Sequence, residues 1–203
     1  CHSRRNISVI LVYWSSNLQT RTSPLMAKNK RHVDKEQKAE EIELAAMELF
    51  IDVGFDASSM SMIAKAANVA PNTLYWYFKN KDDLLIAVLN RLVNASMKLY
   101  PSMMTKPLTE QTIWLLNQFK QTKGLISTVH TRIEHSPSIA TWHDNFHRMI
   151  EMLLTAQLTL NGIPKDKIPF VASALTFVVE GLLSHEHNQK EEQEMINWVL
   201  RTQ

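Results

Sequence analysis

Between Ser58 and Lys81 the chain reads SSMSMIAKAANVAPNTLYWYFKNK, and this stretch restricts the fold more than any other. Ser58 or Ser59 can cap a helix, because a serine hydroxyl accepts from an amide left unpaired in the first turn. Met60, Ile63, Ala64 and Ala67 then recur on one helical face. Asn68 tolerates the left-handed backbone of a sharp turn, and Pro71 suits the first turn of a second helix. Leu74 and Phe78 lie four apart and pack inward. Asn72, Thr73, Tyr75, Trp76 and Tyr77 are then left to face outward. A helix cannot bury Tyr75, Trp76, Tyr77 and Phe78 together on one side, so the plainer reading of these rings as small-core filler fails.

A helix-turn-helix lays its first helix across the DNA backbone and its second in the major groove. The outward residues suit that placement. Asn72 can pair with an adenine edge, and the Trp76 ring can lie against a thymine methyl. Thr73, Tyr75 and Tyr77 carry hydroxyls for phosphate oxygens. Lys81 opens the next helix, where its charge and the free amides both favour a phosphate.

On Ala45-Ala46-Met47-Glu48-Leu49-Phe50, Gly54-Phe55, Ser59, Ile63-Ala64, Val69, Thr73-Leu74-Tyr75-Trp76-Tyr77-Phe78, Lys79-Asn80-Lys81 and Leu84-Leu85, the segment from about Glu40 to Val93 resembles the DNA-binding domain of the TetR/AcrR family of bacterial transcriptional regulators. The resemblance implies that Thr73, Tyr75, Tyr77 and Lys81 contact phosphates. It also implies that Ser61, Asn72 and Trp76 meet base edges, with Ser59 as the cap completing the DNA-binding set. Ser61-Met62 stands where many members have a basic then an acidic residue, and Asn72 where glycine is common. The operator of a relative therefore does not transfer to this chain.

The rest of the chain reads as helix. Only four glycines occur in 203 residues and no alternating pattern is present, so an all-α fold is expected. Its expected parts are an N-terminal three-helix helix-turn-helix domain and a helical ligand-binding and dimerisation domain. A single cysteine, Cys1, excludes a disulfide within this chain and agrees with a reducing compartment. Six of the 22 basic residues, and none of the 20 acidic ones, lie in residues 1–31. Residues 1–34 form an expected disordered extension, with sequence translated upstream of a start at Met26. The apolar run Ile7 to Trp14 is too short to span a bilayer, and no convincing cleavage site for a signal peptide follows it. Lys28, Lys30, Arg31, Lys35 and Lys38 could reach phosphates as an arm, but a solvated tail is the preferred reading.

A helix from about Lys35 to Val53 carries Ile42, Ala45, Ala46, Leu49, Phe50 and Val53 as one stripe. Gly54 ends it in the left-handed conformation. A helix from Asp82 to about Leu99 follows, with two carboxylates in its first turn. Pro101 stops it, and Pro101 to Pro107 marks a boundary between 35–100 and 101–203.

In the second region, Ile139, Trp142, Phe146, Met149, Ile150 and Leu153 form one stripe. Ile168, Val171, Ala172, Leu175, Val178, Val179 and Leu182 form another, and Met195, Ile196, Val199 and Leu200 a short third. Two long apolar helices, about 139–161 and 168–187, suit a helix-bundle dimer interface. The resemblance also implies a homodimer through the last two long helices. Trp114, Phe119, Trp142, Phe146 and Phe177 line either an effector pocket or a plain core, since both use such side chains. Glu180 is either paired at an interface or a polar anchor in that pocket. The resemblance implies a small, often apolar effector.

His143 and His147 share a helix face at i, i+4. With no cysteine nearby and no HExxH motif, a solvated or interface pair is preferred over a metal site. No cofactor is expected. The expected function is a cytoplasmic, ligand-responsive regulator with no membrane association, a repressor by family expectation. It would hold a palindromic double-stranded DNA operator as a homodimer and leave it when a small-molecule effector binds. A helical adaptor without specific DNA binding is the alternative, with a metal-sensing regulator or an enzyme weaker still. No phosphate-binding glycine loop or nucleophile elbow is present.

Overall fold

The computed structural model describes residues 30–201, with residues 30–33 as backbone only. The expected extension, the start at Met26 and the arm residues Lys28, Lys30 and Arg31 lie outside the described side chains. All regular structure among the described residues is helical, which matches the all-α expectation. The α-helices are α1 (Lys30–Asp52), α2 (Met60–Ala66), α3 (Pro71–Tyr77), α4 (Lys81–Leu99), α5 (Leu108–Gln121), α6 (Lys123–Arg132), α7 (Pro137–Leu160), α8 (Ile168–Ser184) and α9 (Gln189–Arg201). A 3₁₀ turn at Tyr100–Ser102 follows α4, as the proline at 101 requires.

Helix α1 buries Ile42, Ala46, Met47 and Phe50. Gly54 closes it at φ 95°, with its amide donating to Leu49 O at 3.2 Å. Val53 does not continue the stripe. It falls past the last helical turn and is 47% exposed. Ser59, not Ser58, caps α2, accepting from the Met62 amide at 3.2 Å. Ser58 is fully buried and donates to Gly54 O at 2.7 Å, tying the α1–α2 turn together. Asn68 adopts φ 52° in the tight turn between α2 and α3. Asn80 caps α4 by accepting from the Asp83 amide at 2.8 Å.

Two apolar clusters hold the chain together. The first gathers α1, α2, α3 and the N-terminal half of α4 around Ile42, Ile63, Leu74, Leu84, Leu85 and Val88. It does not stop at α4, because Leu125 and Val129 of α6 and Ile139 of α7 are buried in the same cluster. Burying a side chain of this size stabilises by about 1.5–3 kcal/mol. The second cluster joins Leu116 of α5, Leu158 of α7, Ile196 and Val199 of α9, and five α8 residues from Val171 to Leu182.

The α8 stripe read from the sequence is therefore the chain's own core. A different α8 face, carrying Phe170 and Phe177 at 77% and 71% exposure, is turned outward. Met152 and Leu160 of α7 are exposed to a similar degree. The stripe is core because α8 packs on α5, α7 and α9 within one chain, leaving only its far side for anything else.

Charge ties complete the frame. Arg91 of α4 pairs with Glu40 and Glu43 of α1, at 2.6 and 2.5 Å. Lys120 of α5 pairs with the buried Glu192 of α9.

Candidate nucleic-acid interface and ligand cavity

Helix α3 is held by a single fully buried residue, Leu74, with Phe78 packed at its end. Everything else on it is free to face outward except Tyr77. Asn72, Thr73, Tyr75 and Trp76 are exposed, Trp76 by 64%. Tyr77 is half-buried against the first cluster, with Trp76 meeting it edge to face at 4.8 Å between ring centroids. Lys35 of α1 places its ammonium 4.5 Å from the Trp76 ring centroid, a cation–π contact that braces the indole. Ser59 and Ser61 are exposed on α2 and its cap.

Lys81 is placed differently from a free surface lysine. Its ammonium donates to Phe55 O at 2.7 Å and Ser58 O at 3.0 Å, and lies 4.2 Å from the Phe55 ring centroid. Burial lowers its pKa, and the Arg132 charge acts in the same direction against Asp56 and Asp82. In the free protein this lysine joins the start of α4 to the α1–α2 turn. Nothing in the spacing of the sequence pointed to those carbonyls, because they lie 23 and 26 residues away.

A cavity of about 330 Å³ opens between α4, α5, α6, α7 and α8. Its wall is mostly apolar, with Leu92, Leu115, Phe119, Trp142, Phe146 and Leu175 prominent. Trp142 stacks on Phe146 at 5.2 Å and donates from Nε1 to Asn90 Oδ1 at 2.8 Å, and Phe119 meets Phe146 at 5.9 Å. Glu180 also lines the cavity. Gln157, buried to 4% exposure, lines it too, and its side-chain amide bonds to no described residue.

Two expected lining residues are elsewhere. Phe177 sits on the outward face of α8, and Trp114 faces Tyr100 at 6.2 Å without lining the cavity. A helix periodicity shows that two residues share or oppose a face. It does not say which face meets the hollow.

Helix α6 runs between cavity and reading helices. Val129 and His130 line the cavity. Two residues on, Arg132 grips Asp82 of α4 through two contacts, Nε to Oδ1 at 2.7 Å and Nη2 to Oδ2 at 2.8 Å. Burial alone would raise the Asp82 carboxyl. Hydrogen bonds from Arg132 and Ser136, with the Arg132 and Lys81 charges, outweigh it and hold the group below its ordinary value.

His143 and His147 lie side by side, as their spacing requires, with ring centroids 4.3 Å apart. His130 of α6 joins them, its ring 5.4 Å from that of His143. A third histidine from another helix carries no local sequence signal.

The family model described as "Bacterial regulatory proteins, tetR family" matches residues 43–88, which span the C-terminal part of α1, all of α2 and α3, and the first part of α4. The fatty acid metabolism regulator protein of Bacillus subtilis is 50% identical over 44 residues, 22% of this chain and 23% of that protein. An uncharacterised HTH-type transcriptional regulator of Haemophilus influenzae is 41% identical over 75 residues, 36% of this chain and 40% of that one. These matches thus span less than half the length of either relative. Among solved structures, a transcriptional regulator from Rhodococcus sp. Rha1 superposes with a TM-score of 0.68 at 18% identity, covering 81% of this chain and 96% of that one. The Thermus thermophilus repressor FadR, in complex with lauroyl-CoA, superposes with a TM-score of 0.59 at 19% identity, covering 80% and 91%. The motif match and the shared helical architecture meet on one conclusion: residues 43–88 form a DNA-binding segment of the TetR type, set in an all-helical fold shared with these regulators.

Proposed function

We propose that the chain is a ligand-responsive repressor that binds a palindromic operator as a homodimer and releases it when a small apolar molecule enters the cavity. The observation that carries this reading is the exposed face of α3. Asn72, Thr73, Tyr75 and Trp76 stand on a helix pinned by Leu74, so rigid polar and aromatic groups meet the solvent. In this reading Asn72, Trp76 and Ser61 meet bases, while Thr73, Tyr75, Tyr77 and Lys81 meet phosphates, with Ser59 holding the start of α2.

The mechanism follows the packing. A molecule between α6 and α7 shifts α6, and the Arg132–Asp82 pair carries the shift to the start of α4 and so to α3. The coupling is as large as the molecule's difference in affinity between the DNA-bound and released forms. An acyl chain is the favoured occupant, given the apolar wall and the lauroyl-CoA held by FadR. Phe170 and Phe177 of α8, with Met152 and Leu160 of α7, form the face proposed for the partner copy, and two heads so joined read two half-sites.

A gel shift on the DNA flanking the gene, with and without dodecanoyl-CoA, tests this. A specific complex that Asn72→Ala relaxes at one base position supports the reading. A chain that retards no DNA beyond a scrambled control is the helical adaptor instead.

A further inference from the structure

We propose that His130, His143 and His147 form a binding site for a divalent transition-metal ion of the zinc class in the wall of the cavity. One nitrogen from each ring lies within 4.8 Å of the others. Three imidazoles on a zinc ion at about 2.0–2.1 Å place their nitrogens roughly 3.3 Å apart. Small side-chain rotations on two fixed helices close that difference. His143 and His147 supply the rigid i, i+4 pair on α7, and His130 supplies the third ligand from α6.

The surroundings favour a ligand role over a packing one. The His130 and His147 rings make no hydrogen bond to another described residue. Among the described residues, His143 Nδ1 lies 3.7 Å from the Asp144 carboxylate, a neighbour of the kind that orients a metal-bound imidazole. All three rings line the cavity, whose wall is otherwise mostly apolar. A tris-histidine site leaves a coordination position for water or a ligand oxygen, and the cavity is the space open to it. The site stands whether or not the chain binds DNA, since it rests on these rings alone.

Zinc chloride titrated into the chelator-treated full chain, read by calorimetry, tests the site. The expected result is one ion per chain at these histidines, with affinity falling at least roughly 100-fold in His130→Asn and in His147→Gln, since even supporting residues outside the ligand set are worth up to that much. Ring-nitrogen NMR on the unaltered chain gives a readout that no substitution can unfold. His130, His143 and His147 should shift together at one equivalent while His135, His185 and His187 stay. Zinc that moves the latter rings or the Cys1–His2 end and leaves the three unmoved overturns the proposal. So does affinity unchanged in both variants, with helicity retained by circular dichroism.

Discussion

Lys81 shows how one side chain can serve two purposes. Its ammonium bonds the carbonyls that close the α1–α2 turn, so it is a fold-stabilising residue before any DNA arrives. Lys81→Met should lower unfolding free energy by about 1–3 kcal/mol, the cost of removing the donor to Ser58 O, since Phe55 O keeps the Ser58 amide. Denaturant unfolding of both proteins measures it. The salt slope of DNA binding should fall by less than the roughly one unit expected of a lysine that is free for phosphate. Trp76 is the opposite case, exposed and braced by Lys35 and Tyr77. Trp76→Ala should leave the melting temperature nearly unchanged and weaken operator binding by at least about fivefold, the lower end of what one lost base contact costs. Fluorescence anisotropy on labelled operator gives that ratio.

At the scale of elements, much was legible because it was local. Ser59 as a cap, Asn68 in a left-handed turn and Leu74 facing inward each follow from a few neighbouring residues. The fate of α8 did not. Its sequence offers two apolar faces, one from Ile168 to Leu182 and one with Phe170 and Phe177, and only the presence of α5, α7 and α9 decides which is core. The third histidine, His130, was equally hidden, because its meeting with His143 and His147 depends on where α6 crosses α7. The α6–α4 link has a pH signature. Asp82 is held below 3.8 in the folded chain, so its pairing with Arg132 stabilises fully above that value. The contribution is lost as pH falls through the lower, folded-state value. The stability gap between the chain and Asp82→Asn should therefore be constant near neutrality and shrink below about pH 4. Thermal unfolding across that range, followed by circular dichroism, shows whether it does.

For the whole molecule, the outward aromatic face on α8 is the surface proposed for the partner copy. Phe177→Lys should yield a monomer by sedimentation with helicity intact, because the substitution touches no core residue of the chain itself. Loss of operator affinity in that same variant would tie recognition to pairing. No described helix is long and apolar enough to cross a membrane.

Leu125, Val129 and Ile139 are seated beneath the reading helices while their neighbours border the hollow. Heat should consequently find no seam there. One calorimetric peak is expected rather than two, and a protease should have no stable fragment to liberate by cutting near Ser102. A molecule lodged in the hollow would then raise the melting point of the reading helices too, though it touches none of α1, α2 and α3.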